Sequence, residues 1–354
     1  MASLPPLVAP SKTFKVLVID GGGVRALYTL YLLKAIQTRY CKEKALSEYF
    51  DMIIGTSTGS LVAVGIGLWG IDAVDKLIKI YEDNSKFIFP NCWYSRVANW
   101  MRFFSRGHFY DNKTLIDIVT REMGDATMNQ FNNLVCIPSY NLITNTNHMF
   151  RTPYDPECID DFNILVKDAV LSSCAAPLYF DSHKVSTANF EGTMVDGGIW
   201  ANNPTLVANF EYNRINKLLR RKEMPTYDNC IILNIGNIDD DRIGSPIGGA
   251  LGVKNLIDWI IKSNTLFAEQ FTSNEANVSV KRISSRIFFD DPNCYGLDDV
   301  NCLEIMKTLG KDHGSLLTDP ESSKFIDLSM YFDSPKTFDV KCMFSSLSVS
   351  NNTA

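Results

Sequence analysis

The sequence has few histidines and no paired cysteines. Only four histidines occur among its 354 residues, and they are not spaced as metal ligands. Its nine cysteines stand singly between Cys41 and Cys342 without a C-x-x-C pair, so neither a zinc site nor a disulfide framework is predicted. A calcium loop of the D-x-[DN]-x-[DN]-G type is also missing. These absences predict a protein that needs no metal and keeps its thiols reduced.

Long apolar runs and an excess of positive charge are missing too. The longest apolar run, Leu61 to Ile71, contains three glycines and is shorter than the roughly 18 residues that span a bilayer. The formal charge of -6 argues against binding of a nucleic-acid polymer, because holding its phosphates takes a basic face. The first residues lack a charged n-region and an unbroken apolar h-region, so we expect no signal peptide and a cytoplasmic protein.

The apolar content, 45% of the residues, is sufficient for one large α/β domain. Short β-branched runs predict strands at 15–20, 50–54, 133–136, 194–196 and 230–235. Helical spacing of apolar residues predicts helices at 24–38, 60–68, 164–171, 204–219 and 253–271. Strands and helices alternate, which predicts a mostly parallel sheet covered on both faces. We expect one domain over residues 13–342, an aromatic insertion at 86–112 and a flexible tail at 343–354.

Residues 55–59 read G-T-S-T-G, which fits a nucleophile elbow. Such a turn lifts a serine out of the sheet so sharply that small residues are needed on both sides, here Gly55 and Gly59. An apolar strand precedes Ser57 and an apolar helix follows it. The motif taken alone is equally compatible with a small-residue turn that carries no chemistry.

The stretch D-G-G-G-V-R, from Asp20 to Arg25, supports the elbow. Its three glycines follow a predicted strand and leave backbone N–H groups unobstructed, as an oxyanion hole requires. The same stretch, followed by Ala26, also matches the dinucleotide fingerprint G-x-G-x-x-G/A. A nucleotide fold would place an acidic residue at the end of the second strand, where this chain instead has the elbow that contains Ser57. A nucleotide-dependent oxidoreductase is therefore a weak alternative.

A nucleophilic serine needs a base, and the chain offers two kinds. The histidines are His108, His148, His183 and His313. A Ser-Asp-His chain order would require the last of them, and none stands in a recognisable strand-end loop. Asp196 directly follows a predicted strand in V-D-G-G, before Asn202, Asn203 and Pro204. If burial raises the pKa of Asp196, that carboxylate can accept the proton of Ser57 without a histidine.

Four motifs in this order carry a resemblance to a known family. They are D-G-G-G-V-R from Asp20, G-T-S-T-G from Gly55, S-C-A-A-P from Ser173 and D-G-G-I-W-A-N-N-P from Asp196. The set is similar to the patatin-like phospholipase family over roughly residues 13 to 240, with all motifs inside 20–204. One departure is Ala26, where the family usually has glycine.

The resemblance implies a three-layer α/β/α patatin-like fold and hydrolysis of phospholipid esters without a cofactor. It implies that Ser57 is the nucleophile and Asp196 the general base. It further implies an oxyanion hole made by Gly21, Gly22 and Gly23, supported by Arg25, Gly55, Gly59, Gly197 and Gly198. We interpret S-C-A-A-P as a packing element behind the site. A lipid-binding module with little catalysis stays open as an alternative.

The insertion at 86–112 is rich in aromatic residues and arginines. If helical, it places Val97, Trp100, Met101 and Phe104 on one face, with Arg96, Arg102 and Arg106 nearby. That pattern suits a helix lying in the headgroup interface of a membrane. It equally suits a cap that is buried against the core.

The C-terminal third is more loosely similar to bacterial patatin-like effectors that cyclic oligonucleotides switch on in antiphage defence. The similarity rests on residues 252–262 and 286–291, which a helical cover over the sheet explains equally well. It implies a cyclic di- or trinucleotide activator and a homo-oligomer. Candidate ligands for its phosphates are Arg25, Arg220, Arg221, Lys222, Lys281 and Arg282.

Overall fold

A computed structural model gives the fold. It describes residues 12–90, 99, 101–103, 105–240, 249–272, 275–287, 296–341 and 343. The strands are β1 (Thr13–Ile19), β2 (Met52–Gly55), β3 (Leu134–Asn141), β4 (Thr146–Arg151), β5 (His183–Ser186), β6 (Glu191–Asp196), β7 (Asn229–Asp240) and β8 (Val278–Ile287). The helices are α1 (Ala26–Ile36), α2 (Thr58–Trp69), α3 (Ala73–Ile88), α4 (Asn112–Met123), α5 (Val166–Cys174), α6 (Gly198–Ala201), α7 (Thr205–Arg221), α8 (Gly249–Thr272), α9 (Leu303–Thr318) and α10 (Ser329–Phe332).

The strands form one mixed sheet of eight strands in the order β5-β6-β3-β2-β1-β7-β8, with β4 added beside β3. The pairings from β3 through β2, β1 and β7 to β8 are parallel. Those of β3 with β4 and β6, and of β5 with β6, are antiparallel. The sheet therefore has a parallel centre and an antiparallel end.

Both faces of the sheet are covered, which makes three layers. Along β1, Leu17 and Ile19 pack in one core with residues of α1, α2, α3, α5 and α9. Phe14, Val16 and Val18 point the other way, into a second core with residues of α7. Side chains that alternate between two apolar cores are what a fully buried central strand requires. The predicted α/β/α fold is confirmed.

The ends of β2 and β6 face each other beside the same strand, β3. Register pairs Ile54 of β2 with Cys136, whereas Asp196 of β6 pairs with Ser139. β2 runs parallel to β3 and β6 runs antiparallel to it, so β2 and β6 run towards each other on opposite sides of β3. Their ends are about 10 Å apart along the direction of β3. This gap is where the G-T-S-T-G turn and the D-G-G turn meet.

The predicted strands coincide with β1, β2, β3, β6 and β7, and the predicted helices with α1, α2, α5, α7 and α8. Three strands and several helices were not predicted, among them β8, α3 and α9. Within the part of the chain that the structure describes, no helix is long and apolar enough to cross a membrane. In the 86–112 insertion, Met101 is exposed, whereas Val97, Trp100 and Phe104 lie outside the described residues. The role of this insertion stays a prediction.

Candidate active site

Ser57 occupies the sharp turn between β2 and α2. Its backbone has φ 54° and ψ -129°, a conformation that residues with a side chain rarely adopt. Strained backbone of this kind is concentrated at functional sites. The glycines around it permit close backbone approach. A Cβ on Gly55 would lie 2.0 Å from the carbonyl oxygen of Gly59, and one on Gly59 would lie 2.6 Å from that of Ile19. The turn therefore has the geometry of a nucleophile elbow.

Ser173, at the end of α5, holds this turn from behind. Its hydroxyl accepts a hydrogen bond of 2.9 Å from the N–H of Ser57. The same hydroxyl donates one of 2.6 Å to the carbonyl of Pro138 on β3. Ser173 is fully buried, so the S-C-A-A-P segment does more than pack behind the turn: it fixes the backbone of Ser57.

Asp196 ends β6 on the other side of the gap and is 4% exposed. Its carboxylate accepts a 2.7 Å hydrogen bond from the N–H of Gly198, and Ser57 lies beside it at the same cavity. Burial raises the pKa of Asp196 to about 7, although the N–H of Gly198 and the hydroxyl of Ser57 act to lower it. A carboxyl group with this pKa can exchange a proton with a neighbouring hydroxyl near neutral pH.

The glycine loop after β1 lies against the same turn. The N–H of Gly22 donates a hydrogen bond of 3.2 Å to Thr58 Oγ1, and both Gly22 and Gly23 line the cavity in front of Ser57. The N–H of Gly21 instead donates to the carbonyl of Asn202 at 3.1 Å. The three glycines therefore differ: two face the cavity and one joins the loop to the D-G-G-I-W-A-N-N-P motif.

Asn237, on β7, fixes the position of that loop. Its Nδ2 donates to the carbonyl oxygens of Asp20 at 3.2 Å and Gly21 at 2.8 Å. Its Oδ1 accepts a 2.9 Å hydrogen bond from the hydroxyl of Thr29 on α1. The pairing of β7 with β8 is irregular between Ile235 and Ile238, and a bulge of this kind redirects side chains next to functional sites.

The side chain of Asp20, which is buried, pairs with Arg282 of β8. Arg282 Nη1 lies 2.6 Å from Asp20 Oδ2, and its Nε lies 2.7 Å from Glu269 Oε1 on α8. Asn234 also donates to Asp20 Oδ1 at 2.7 Å. A buried carboxylate needs such partners, so Arg282, a candidate phosphate ligand in the sequence, contacts two carboxylates here.

Asn264 joins α8 to the site. Asn264 Nδ2 donates to the carbonyl of Gly198 at 2.9 Å, and its Oδ1 accepts from the N–H of Asn202 at 3.2 Å. Both partners belong to the motif that begins at Asp196. Two hydrogen bonds to the backbone of that motif thereby hold α8 over the site.

The cavity in front of Ser57 and Asp196 is lined mainly by apolar side chains. They come from α2, α3, α4, α8 and the segment after α5, and include Leu61, Ile80, Ile88, Leu115, Phe180 and Ile257. Only a few polar groups, chiefly those of Ser57, Thr58, Asp196 and Asn202, reach it. An apolar pocket with a few polar groups suits a molecule with an apolar chain and a polar reacting group.

All four histidines lie away from this cavity. His313 on α9 contacts the hydroxyl of Tyr28 at 2.5 Å, and His183 contacts Asp168 at 3.0 Å. His108 contacts the carbonyl of Tyr110 at 2.8 Å, and His148 packs on Phe150. Among the described residues, no histidine lines the cavity and no group of His, Cys, Asp or Glu could hold a metal ion.

The other candidate phosphate ligands lie on separate elements. Arg220 and Arg221 are exposed at the end of α7, and Lys222 follows them. Lys281 is exposed on β8, and Arg25 follows the glycine loop. Their placement on three elements does not by itself define a binding site.

The sequence did not predict the residues that support the site from a distance. Ser173 was interpreted as packing, and Asn237 and Asn264 carried no signal, since single polar residues in a strand or a helix are common. Only their contacts with the backbone of the glycine and D-G-G motifs reveal them. Ser57, Asp196, Gly22 and Gly23 are brought together at one cavity.

Comparison with known proteins identifies the family. The model of the patatin-like phospholipase family matches residues 17–209. A cGAMP-activated phospholipase of Vibrio cholerae is 28% identical over 345 residues, which cover 91% of this chain and 95% of that protein. Patatin-like protein 2 of Oryza sativa subsp. indica is 31% identical over 297 residues, which cover 75% and 71%. The chain belongs to the patatin-like phospholipase family.

Proposed function

We propose that this protein hydrolyses ester bonds of phospholipids with Ser57 as the nucleophile and Asp196 as the general base. The observation that carries the proposal is that both side chains line one apolar cavity, close enough together for the hydroxyl of Ser57 to act on the pKa of Asp196. Nucleophile and base within hydrogen-bond reach are the minimum that acyl transfer requires. Membership of the family makes a lipid hydrolase the expected class of enzyme.

In the first half of the reaction, Asp196 accepts the hydroxyl proton of Ser57 as Oγ bonds to the ester carbonyl carbon. The carbonyl oxygen becomes an oxyanion, for which the N–H of Gly23 is a candidate donor, joined by that of Gly22 when it exchanges Thr58 Oγ1 for the oxyanion. The N-terminus of α2, directly after Ser57, adds partial positive charge. When the intermediate collapses, the bond to the lipid alcohol breaks and Asp196 returns the proton to the departing oxygen.

In the second half, water attacks the acyl-enzyme. Asp196 takes a proton from the water while the oxygen of that water bonds to the acyl carbon. The oxyanion forms at the same place, and its collapse breaks the bond to Ser57 Oγ, which recovers the proton. The products are a free fatty acid and the starting form of the enzyme. The apolar lining of the cavity would hold the acyl chain throughout.

The decisive experiment measures fatty-acid release from phospholipid vesicles by the wild type and by Ser57→Ala. We expect the variant to lose at least a thousandfold in rate. Ser315→Ala, an exposed serine on α9, serves as the matched control and should act like the wild type. Binding of vesicles by all three proteins without release of fatty acid would instead support the lipid-binding module.

We further propose that a cyclic dinucleotide activates the enzyme in order to degrade the membrane of its own cell in antiphage defence. Support comes from the Vibrio cholerae relative, which is named for activation by cGAMP and aligns over nearly the whole of both chains. A ligand of this kind can activate only by binding the active arrangement more tightly than the resting one. A change of oligomeric state is one way to couple nucleotide binding to hydrolysis.

The test adds cGAMP, other cyclic dinucleotides and cyclic trinucleotides to the vesicle assay. The molecular mass of the protein with each nucleotide is measured separately by light scattering. We expect one of them to raise the rate tenfold or more, with a shift in mass if assembly is the switch. Full activity without any nucleotide, unchanged by all of them, would contradict regulation and leave the hydrolase assignment intact.

A further inference from the structure

The outward face of α8 is apolar. Of the sixteen large hydrophobic side chains that are exposed among the described residues, six lie on this one helix, each between 36% and 55% exposed. They are Leu256, Trp259, Ile260, Leu266, Phe267 and Phe271, and we call them the α8 stripe. Scattered exposed apolar residues are ordinary, whereas a concentration on one element marks a surface that meets something apolar.

The α8 stripe is continuous along the helix. At 3.6 residues per turn its members fall within an arc of about 140°. Ser263 and Gln270 are the polar residues inside that arc, while Asp258, Lys262 and Glu269 lie together beyond one of its borders. Phe267 and Phe271, one turn apart, have ring centroids 4.3 Å from each other. The helix is therefore amphipathic, with its apolar side turned outward.

The opposite side of α8 is held to the protein. Thr265, Ala268 and Thr272 are buried, and Asn264 makes the two hydrogen bonds to the Asp196 motif. The helix is thus fixed in this orientation and cannot turn its apolar face inward without losing them. Exposing several large apolar side chains in water is unfavourable by about 25 cal/mol per Å2, so the stripe is explained by a partner that covers it.

The stripe is also continuous with the catalytic cavity. Ile260 belongs to the stripe and lines the cavity that contains Ser57, and its neighbours Ile257 and Ile261 line the same cavity. An apolar path therefore leads from the outer face of α8 to the candidate nucleophile. A lipid could move along it without passing its acyl chain through water.

We propose that the α8 stripe docks on a phospholipid bilayer and delivers lipid directly into the cavity, an inference that rests on the proposed hydrolase function. A second copy of the chain seated on the stripe would cover Ile260 and close the path to Ser57, whereas a bilayer supplies substrate at that place. Trp259 at the edge of the stripe and the neighbouring Lys262 suit the headgroup region. This adds α8 as a second candidate for membrane contact beside the 86–112 insertion, whose role stays a prediction.

Vesicle binding can be measured separately from hydrolysis by using Ser57→Ala as the parent. Ser263→Glu adds a charge in the middle of the stripe and removes no apolar contact, so the fold should persist. We expect it to weaken partition onto sucrose-loaded phosphatidylethanolamine and phosphatidylglycerol vesicles on the order of tenfold in a sedimentation assay. The matched control is Ser315→Glu on α9, which adds the same charge at an exposed serine elsewhere and should bind like the parent.

A second pair of variants removes apolar area instead of adding charge. Trp259→Ser with Phe267→Ser should weaken partition by a similar factor, whereas Leu142→Ser with Ile143→Ser, two exposed residues after β3, should not. With Ser57 restored, hydrolysis of a soluble short-chain ester should stay within about twofold of the wild type, because the chemistry is untouched. A loss of ester hydrolysis matched by a loss of vesicle binding would mean that these residues hold the fold, and would overturn the proposal.

Two further results would also overturn it. One is that Ser263→Glu partitions onto vesicles as well as the parent does. The other is that the variant binds vesicles like the parent but has a lower molecular mass than the parent in solution, measured by light scattering. The latter would assign the stripe to a second copy. Failure of the hydrolase proposal looks different, because the wild type would then release no fatty acid while the parent still bound vesicles through α8.

Discussion

The N–H of Ser57 donates a hydrogen bond of 2.9 Å to the hydroxyl of Ser173. Ser173 in turn donates to the carbonyl of Pro138 on β3, the strand that also carries the partner of Asp196 in the sheet. One buried hydroxyl thus connects the strained turn to the strand that aligns both members of the proposed dyad. Backbone strain of this kind persists only where surrounding contacts determine it.

Ser173→Ala should therefore impair catalysis although it touches no substrate. The variant leaves the N–H of Ser57 and the carbonyl of Pro138 without their shared partner, and we expect a loss of ten- to a hundredfold in kcat with a smaller change in KM. Stability should fall by about 1–3 kcal/mol. Steady-state kinetics on a soluble ester and chemical denaturation measure both.

Ser172 is the matched control for this prediction. It is equally buried and its hydroxyl donates to the carbonyl of Asp168 within α5, away from the turn. Ser172→Ala should lower stability by a comparable or smaller amount and leave kcat within about twofold. Equal kinetic losses in the two variants would reduce Ser173 to a packing residue.

The pKa of Asp196 sets the expected pH dependence. As a general base the carboxyl must be deprotonated, so activity should be low in acid and rise through the pKa of about 7 that burial gives this group. We expect kcat/KM on a soluble ester to rise with pH up to roughly 8 and then level off. A profile that is already flat from pH 5 upward would show that a group with an ordinary carboxyl pKa acts in its place.

The same pKa makes Asp196 a burden on folding. Its folded pKa of about 7 lies above its usual value of 3.8, so between these pH values the unfolded chain releases a proton that the folded chain keeps. This group therefore lowers stability progressively as pH rises through that window. Asp196→Asn should raise the free energy of unfolding by roughly 1–3 kcal/mol at pH 8.

At pH 4 most of the gain from Asp196→Asn should be gone, because the carboxyl is protonated in the folded chain and, near its usual pKa of 3.8, only about half deprotonated in the unfolded chain. Asp161, which is also buried with a pKa of about 7, makes its own contribution to the change of the free energy of unfolding with pH. This contribution is the same in variant and wild type, so it cancels when the two are compared at each pH. Denaturant titrations at pH 4, 6 and 8 give the difference, and a variant less stable than the wild type at pH 8 would contradict the account.

How much the sequence could predict depended on how locally each feature is encoded. Ser57 and Asp196 could be singled out because each stands at the end of a short apolar strand next to glycines, Gly55 and Gly59 around Ser57 and Gly197 and Gly198 after Asp196. Their meeting was not predictable from spacing, since it depends on β2 and β6 ending towards each other along β3. Only the registers of two pairings show this.

Two elements show why the remainder was missed. Gly310 and Gly314 lower the helical propensity of α9, yet a Cβ on Gly310 would lie 2.7 Å from the Cβ of Tyr31 on α1. These glycines permit close packing of two helices, which a single sequence does not reveal. β8 was missed for a similar reason, because its charged Arg282 argues against a buried strand unless its ion pair with Asp20 is known.

Ser57 and Asp196 should act as a unit. Ser57→Ala and Asp196→Asn should each lower kcat on a soluble ester by a thousandfold or more, and the double variant should be little worse than either, because the base has no function without the nucleophile. His313→Ala should retain most activity, since His313 contacts Tyr28 on α1 and lies away from the cavity. A His313→Ala variant as inactive as Ser57→Ala, alongside an active Asp196→Asn, would replace the dyad with a triad.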